Sequence, residues 1–519
     1  MQGTGHIALW HSGKLVYYKR FHRIFKPLKR RRPRLTLIQR LEVLAFLLLL
    51  ALVLLFTFNR PVTDLERVIA SGELVVATRV STTTYQEWPT GPDGFEYDLA
   101  AAFADSLGVD LRLVVPRQFD DILPLVARGR VDMAAAGMTV TRSRLAQVRF
   151  GPTYQQVTEQ VVHRRGTPAP QSIEDLQHRS LAVIAGTSHG DTLRRLQQDY
   201  PWLTWEEFPG ITPAELLRRV HDGELDLAVA DSIELISIRR FYPELRAVMD
   251  LTEPHFLAWA FPRHQDSSLI QAAEAFFEAQ ATSGRLAQLQ ERHFGHMEVL
   301  DYAGVLTFMS RVRERLPRYE PLFREAAETF GMDWRLLAAV SYQESHWNPD
   351  AVSRTGVRGL MMLTQITAGE LGVRDRTNPR ESVFGGAEYL RGLHQRLPEA
   401  ILEPDRTWMA LAAYNVGLGH LYDARRITLS EGKDPNRWID VMAHLPLLSR
   451  PEWYVHTRHG YARGWEPVHY VQNIRSFYDI LTWFTTPEQE HPLEGARRPW
   501  MSPPRPQATP PLDILPPGL

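Results

Sequence analysis

A chain of 519 residues is long for one domain and points to about two to four, while 44% apolar and 23% charged residues are ordinary for globular protein. The net charge of -1 conceals an asymmetry: residues 1–41 hold eleven Lys or Arg and no acid, which leaves 48 basic against 60 acidic residues in the rest and no reason to expect nucleic acid as a partner. Zero cysteines exclude disulfides, thiolate metal sites and a lipidated N-terminal cysteine, without fixing the compartment.

The basic region 1–42 ends in Lys29-Arg30-Arg31-Arg32-Pro33-Arg34 and is followed by an apolar run from Val43 to Phe58. As a helix this run would cover about 24 Å, short of the roughly 30 Å hydrocarbon core, so spanning would rely on Arg40 and Arg60 reaching the interfaces. No small-x-small site follows in Phe56-Thr57-Phe58-Asn59-Arg60, which favours an uncleaved anchor over a cleaved signal. In either case the basic flank stays cytoplasmic and the rest is exported, so a membrane is an expected partner.

Residues 72–297 read as alternating strands and helices. Leu74 to Ala77, Leu111 to Val115 and Met133 to Ala136 are short apolar runs, separated by helical patterns such as Leu99, Phe103 and Leu107. A second set begins at Leu181 to Gly186 and closes with Leu227 to Asp231. The expectation is an α/β domain of two lobes on parallel sheets, with a ligand in the cleft between them.

Four ordered motifs here, Gly94-Phe95-Glu96-Tyr97-Asp98-Leu99, Gly129-Arg130-Val131-Asp132-Met133, Gly137-Met138-Thr139-Val140-Thr141-Arg142-Ser143-Arg144 and Phe150-Gly151-Pro152-Thr153-Tyr154, resemble the solute-binding proteins that deliver polar amino acids to transporters. The resemblance implies that Arg144 clamps an α-carboxylate, that Asp231 takes the α-amine, and that Thr139, Thr187 and Ser188 complete the grip on an amino acid. The chemistry fits, because guanidinium binds carboxylate bidentately and a buried ammonium needs an acid.

From residue 300 to 485 the periodicity is helical with no strand runs, and the tail 487–519 holds ten prolines and should lack a core. Within the helical stretch, Leu337 and Val340 stand three apart and Glu344 follows four later, which puts a carboxyl on an apolar face. Burial favours its neutral form, the state a general acid needs near neutral pH. Asp333 reads as the N-cap and Pro349 as the stop, placing Glu344 in the last turn, at the edge of a cleft.

Four stretches resemble the catalytic domain of soluble lytic transglycosylases, all-α and similar to goose-type lysozyme: Gln343-Glu344-Ser345 with Asn348-Pro349, Gly356 to Thr364, Ala413-Tyr414-Asn415-Val416-Gly417, and His469 to Ile474. With the export segment and the binding domain, nearly everything outside the tails resembles the membrane-bound lytic murein transglycosylases. The resemblance implies peptidoglycan glycan strands as substrate, Glu344 as the catalytic acid, and Ser345, Gly359, Leu360, Met361, Tyr414, Asn415 and Tyr470 at the substrate site. Gly356 and Gly359 would let backbone approach the sugar, Leu360 and Met361 would keep Glu344 in an apolar setting, Tyr414 would reach the carboxyl or an N-acetyl group, and Asn415 would fix the turn. Many relatives carry Gln where this chain has Met362, so an amide contact to sugar is absent.

No His or Cys cluster has ligand spacing, so no metal or cofactor is expected. A lysozyme-like hydrolase would need a second acid, for which Asp350 and Glu370 are the nearest candidates. A receptor whose helical domain only grips glycan is the reading from another class. The resemblance implies the periplasmic face of the outer membrane, whereas an uncleaved segment implies the inner membrane.

Overall fold

The computed structural model describes residues 62–486 except 89, 90, 265 and 298, together with 36, 38, 41, 42 and 44–49. The chain divides into residues 1–62 and a compact unit from Thr63 onward. In the first, the positions described between 38 and 49 are helical. Most of the expected apolar segment 43–58 and all of the tail 487–519 lie outside the described residues, and among the described residues no helix is long and apolar enough to cross a membrane.

The second unit opens on the helix Asp64–Ser71, capped reciprocally by Thr63 and Glu66. Its Val68 is fully buried in one cluster with Leu74 and Phe103, so the first lobe begins ahead of residue 72, where the strand periodicity starts. The sheet of that lobe runs Asp110–Val114, Glu73–Ala77, Met133–Ala134, His255–Pro262, Val148–Val157. The sheet of the second lobe runs Leu245–Asp250, Glu159–Arg164, Leu227–Asp231, Leu181–Ile184, Glu206–Phe208.

Neither sheet is purely parallel, which departs from the expectation. His255–Pro262 runs antiparallel to both its neighbours, and so does Glu159–Arg164. Each of these strands enters its sheet directly from the other lobe, without the helical crossover that would return it parallel. Two short segments therefore join the lobes. Thr158 is pinned by Ser232, whose N–H donates to the Thr158 carbonyl at 2.9 Å, and Leu251 N–H donates to the Glu159 carbonyl at 2.7 Å.

The helical part extends from Tyr302–Glu314 to the long helix Trp465–Thr485. At its centre Trp334–Ser345 is buried from Leu337 to Tyr342 and packs on Trp465–Thr485. Phe308 locks the two together, its ring 4.5 Å from that of Tyr342 and 4.6 Å from that of Phe477.

The two-lobed part grips the far half of the same long helix. Phe241 of the second lobe stacks on Trp483 at 4.1 Å. Arg475, only 2% exposed, pairs with Glu291 and donates to the carbonyls of Glu291 and Arg292 at 3.0 and 2.8 Å. Burial opposes ionisation of Asp479, but Arg240 and His296 outweigh it and hold the carboxyl at about 2.

Candidate active site

Asp333 begins the acid-bearing helix, its side chain accepting from Arg335 N–H at 2.8 Å. The helix ends because His346 and Trp347 both turn left-handed, at φ 51° and 56°. This reversal carries Trp347 back onto the helix, where its indole N–H donates to the Ala338 carbonyl at 2.9 Å. The stop thus precedes Pro349. Among the described residues four non-glycine positions have positive φ, and three of them, His346, Trp347 and Met362, frame this site. Strain of this kind, about 1–3 kcal/mol per residue, persists where the surroundings enforce it and concentrates at functional sites.

Glu344 sits in the last turn, half-buried. Its Oε1 accepts from Tyr470 Oη at 2.5 Å, and Tyr470 is itself 5% exposed on the long helix. Burial pushes the Glu344 carboxyl up to about 7, with the Tyr470 bond pulling the other way, and among the described residues no second carboxylate acts on it. Asp350 and Glu370, the candidate second acids, are both exposed.

The loop after Gly356 is tied to the acid helix by two serines. Ser341 and Ser345 stand one turn apart, and both hydroxyls donate to the Leu360 carbonyl, at 3.0 and 2.9 Å. Ser345 is therefore spent on backbone and holds the loop, where the sequence suggested a substrate contact. Leu360 and Met361 are fully buried, so their side chains offer no surface to a sugar and serve as apolar packing. Met361 is held at both ends of its peptide unit: its N–H donates to Ser382 Oγ at 3.1 Å and its carbonyl accepts from Tyr414 Oη at 2.8 Å.

Gly359 has a different reason from the one expected. At φ 88° a Cβ would lie 1.8 Å from the Arg376 carbonyl oxygen, so the close approach is to the chain's own backbone. Tyr414 reaches Met361, not the acid, although the nearby Glu344 charge and above all burial raise its phenol well above the ordinary range. Asn415 is exposed and makes no side-chain hydrogen bond among the described residues, so Gly417, at φ 90°, makes that turn without it. Beside Tyr414, Tyr389 meets it edge to face at 5.3 Å and lines an open groove of about 960 Å³ with Phe330, Thr367 and Glu370. The sequence reading missed Ser341, Ser382 and Tyr389. Only the four-residue spacing of Ser341 and Ser345 could have signalled one of them.

In the two-lobed part, Thr139, Arg144, Thr187, Ser188 and Asp231 are all buried where the lobes meet. Their bonding differs from an open clamp. Arg144 donates from Nη1 to the Thr139 carbonyl and from Nη2 to the Gly186 carbonyl, both at 3.1 Å, and so ties one lobe to the other. Thr187 Oγ1 donates to the Ile184 carbonyl at 2.7 Å, Ser188 Oγ donates to Thr139 Oγ1 at 3.4 Å, and Asp231 meets His189 Nε2 at 3.2 Å. Arg79 pairs with Glu234 across the same boundary at 2.8 Å. The cavity enclosed there, lined by Arg79, Glu96, Asp231 and Glu234, is about 10 Å³, too small for an amino acid. The lobes are closed on their own side chains.

Comparison with known proteins gives two family matches. Residues 74–296 match the bacterial extracellular solute-binding proteins, family 3, and residues 321–436 match the transglycosylase SLT domain. Tyr470 lies beyond the second match. Membrane-bound lytic murein transglycosylase F 1 of Alkalilimnicola ehrlichii is 50% identical over 454 residues, 87% of this chain and 92% of that protein. Membrane-bound lytic murein transglycosylase F of Ectopseudomonas mendocina is 48% identical, covering 82% of this chain and 88% of its own length. Among solved structures, an ancestral arginine-binding protein bound to arginine is 24% identical and matches 43% of this chain and 98% of its own, with a TM-score of 0.40.

Proposed function

The chain belongs to the membrane-bound lytic murein transglycosylase F family and is a murein-degrading lytic transglycosylase, and on that premise we propose that Glu344 alone supplies the proton transfers of its reaction. The observation that carries this is a half-buried carboxyl held by Tyr470, which burial pushes up to about 7 and on which no second carboxylate acts among the described residues. Protonated Glu344 donates to the glycosidic oxygen between N-acetylmuramic acid and N-acetylglucosamine. As C1 loses that oxygen, the C6 hydroxyl of the same sugar attacks C1, and the Glu344 carboxylate takes the hydroxyl proton. The acid is thereby restored. Hydrolysing glycosidases usually need two carboxylates to manage a water or a covalent intermediate. A hydroxyl already on the substrate replaces that water and brings the advantage of preplacement.

The remaining assignments follow from the packing. Tyr470 positions the acid, the Leu360 carbonyl is tied to the acid-bearing helix by Ser341 and Ser345, and the groove lined by Tyr389 is the proposed path for glycan. Mass spectrometry of digested sacculi tests the reading. Products ending in 1,6-anhydromuramic acid, lighter than a reducing end by one water, are expected; reducing ends as the main product would replace it with hydrolysis.

The two-lobed part is proposed to bind an amino acid or muropeptide through Arg144 and Asp231 and to alter the lyase rate. Its closed state leaves no room for such a ligand, so binding requires the lobes to part first. Residues 300–485 are read as the catalytic domain and 72–297 as the modulating one. Attachment to a membrane, with both domains on the periplasmic side, is supported by the basic flank before the 43–58 run and by the family's name. The inner face of the outer membrane is the family's implied site, and an uncleaved run would substitute the inner membrane.

A further inference from the structure

The second lobe presents two acids to each other. Glu159 opens one strand and Asp231 closes its antiparallel neighbour, and the register sets them directly opposite. Direct cross-strand partners share one face of the sheet, where like charges repel. Water cannot screen this pair, since Glu159 is 0% and Asp231 6% exposed. Neither carboxyl oxygen of Glu159 receives a hydrogen bond from the protein. A buried carboxylate left in that condition is strongly disfavoured unless a proton or a cation joins it.

The arginines nearby act on these acids by charge alone and bond to neither. Arg79 is committed to Glu234, and Arg144 to the carbonyls of Thr139 and Gly186. What does converge is His189, in the first turn of the helix Ser188–Asp199. Its Nε2 meets Asp231, and its Nδ1 has no partner. One donor atom from each of Glu159, His189 and Asp231 lies within 4.8 Å of the other two.

We propose that Glu159, His189 and Asp231 form a binding site for one divalent cation of the zinc type in the second lobe. Two carboxylates and one imidazole are a donor set zinc accepts, leaving a fourth position open. Donors at about 2.0–2.2 Å from zinc stand closer together than the present limit, so the side chains need only draw inward. Size separates this occupant from an amino acid, because a bare cation fits between side chains that leave only about 10 Å³ beside them. A second acid and histidine group, Asp93, Asp98 and His293, lacks the same incentive, since Asp98 is already paired with His293 at 2.8 Å and Arg292 at 3.2 Å. The proposal is independent of the catalytic reading, and it shares only Asp231 with the amino-acid reading.

Calorimetric titration of zinc into the metal-stripped, detergent-solubilised full chain tests it, with cobalt absorption as a second readout. One tight equivalent is expected, with a rise in Tm and a tetrahedral cobalt spectrum. Glu159→Gln and His189→Gln should each weaken binding at least ten-fold, and His293→Gln should leave it unchanged. Glu159→Gln relieves the facing charges, so its metal-free Tm should be no lower than that of the wild type, which separates lost ligation from lost folding. Absence of a bound equivalent, or one whose affinity survives both Glu159→Gln and His189→Gln, overturns the site. Amino-acid binding without zinc binding overturns it as well, while sparing the zwitterion reading.

Discussion

Tyr470 and Glu344 meet in one short hydrogen bond that opposes the effect of burial on the acid: desolvation favours the neutral carboxyl, the phenol favours the carboxylate, and the outcome is about 7. Turnover needs the protonated form, so the rate should fall as pH rises through about 7. Tyr470→Phe removes the contribution that lowers the value. Its alkaline limb should therefore move to higher pH, while the maximal rate drops because the carboxyl is no longer held. Rates on sacculi across the neutral range check this, and an unmoved limb would remove Tyr470 from the site.

Glu344→Gln keeps the side chain's shape and cannot transfer the proton. Activity should fall by at least about 100-fold. The folded carboxyl lies above its ordinary 4.5, so folding favours the proton, and this group's contribution to wild-type stability is greatest below that value, declines as pH rises through about 7 and levels off above it. The amide escapes this decline. The variant's Tm relative to wild type should therefore improve from pH 5 to pH 8, which a pair of thermal scans would show.

Two glycines of one loop should respond differently to alanine. Both have positive φ, 80° at Gly356 and 88° at Gly359, but a Cβ meets nothing within 4 Å at the first and the Arg376 carbonyl at the second. Gly356→Ala should cost about 1–2 kcal/mol of left-handed strain. Gly359→Ala must also displace backbone, and a loss above about 3 kcal/mol with collapse of activity is expected. Chemical denaturation of both variants makes the comparison.

If lobe position reaches the acid, the stack of Phe241 on Trp483 is a route, since Trp483 and Tyr470 share one rigid helix. Phe241→Leu keeps apolar volume and forfeits about 0.5–1.5 kcal/mol of ring contact. Coupling between sites is typically about 1–3 kcal/mol, a several-fold effect on rate. The variant should bind amino acids or muropeptides as the wild type does, yet lose most of their effect on turnover. Calorimetry and sacculus assays run side by side would reveal either outcome.

Arg144→Ala removes a side chain that bonds to carbonyls of both lobes. Amino-acid affinity should fall at least ten-fold if it is the carboxylate clamp. Unchanged affinity by calorimetry would leave Arg144 as a latch only.

Local pattern made much of this legible. Asp333 as cap, Leu337 and Val340 as buried stripe, and the apolar runs as strands all follow from short-range rules. The residues at the lobe boundary came from motif order, and the structure does gather them there. What could not be read depends on contacts distant in the chain. Gly359 is explained only by Arg376, the Leu360 carbonyl only by two serines on another element, and Glu159 with Asp231 only by a register that no local spacing encodes. The mixed sheets were equally hidden, because nothing in an apolar run tells from which lobe the strand arrives.

Arg475 lies on the long helix that also bears Tyr470, yet among the described residues every hydrogen bond its guanidinium makes is to Glu291 or Arg292 of the two-lobed part. A gene fragment starting near residue 300 would express an enzyme with an orphaned interior cation and a bare Trp483, prone to self-association. Removing the two-lobed part therefore exposes two side chains at once. Any stand-alone version would first have to acquire neutral replacements at both positions, and workers trimming the chain for crystallisation or biotechnology should retain the helix Arg285–Phe294 or redesign that surface.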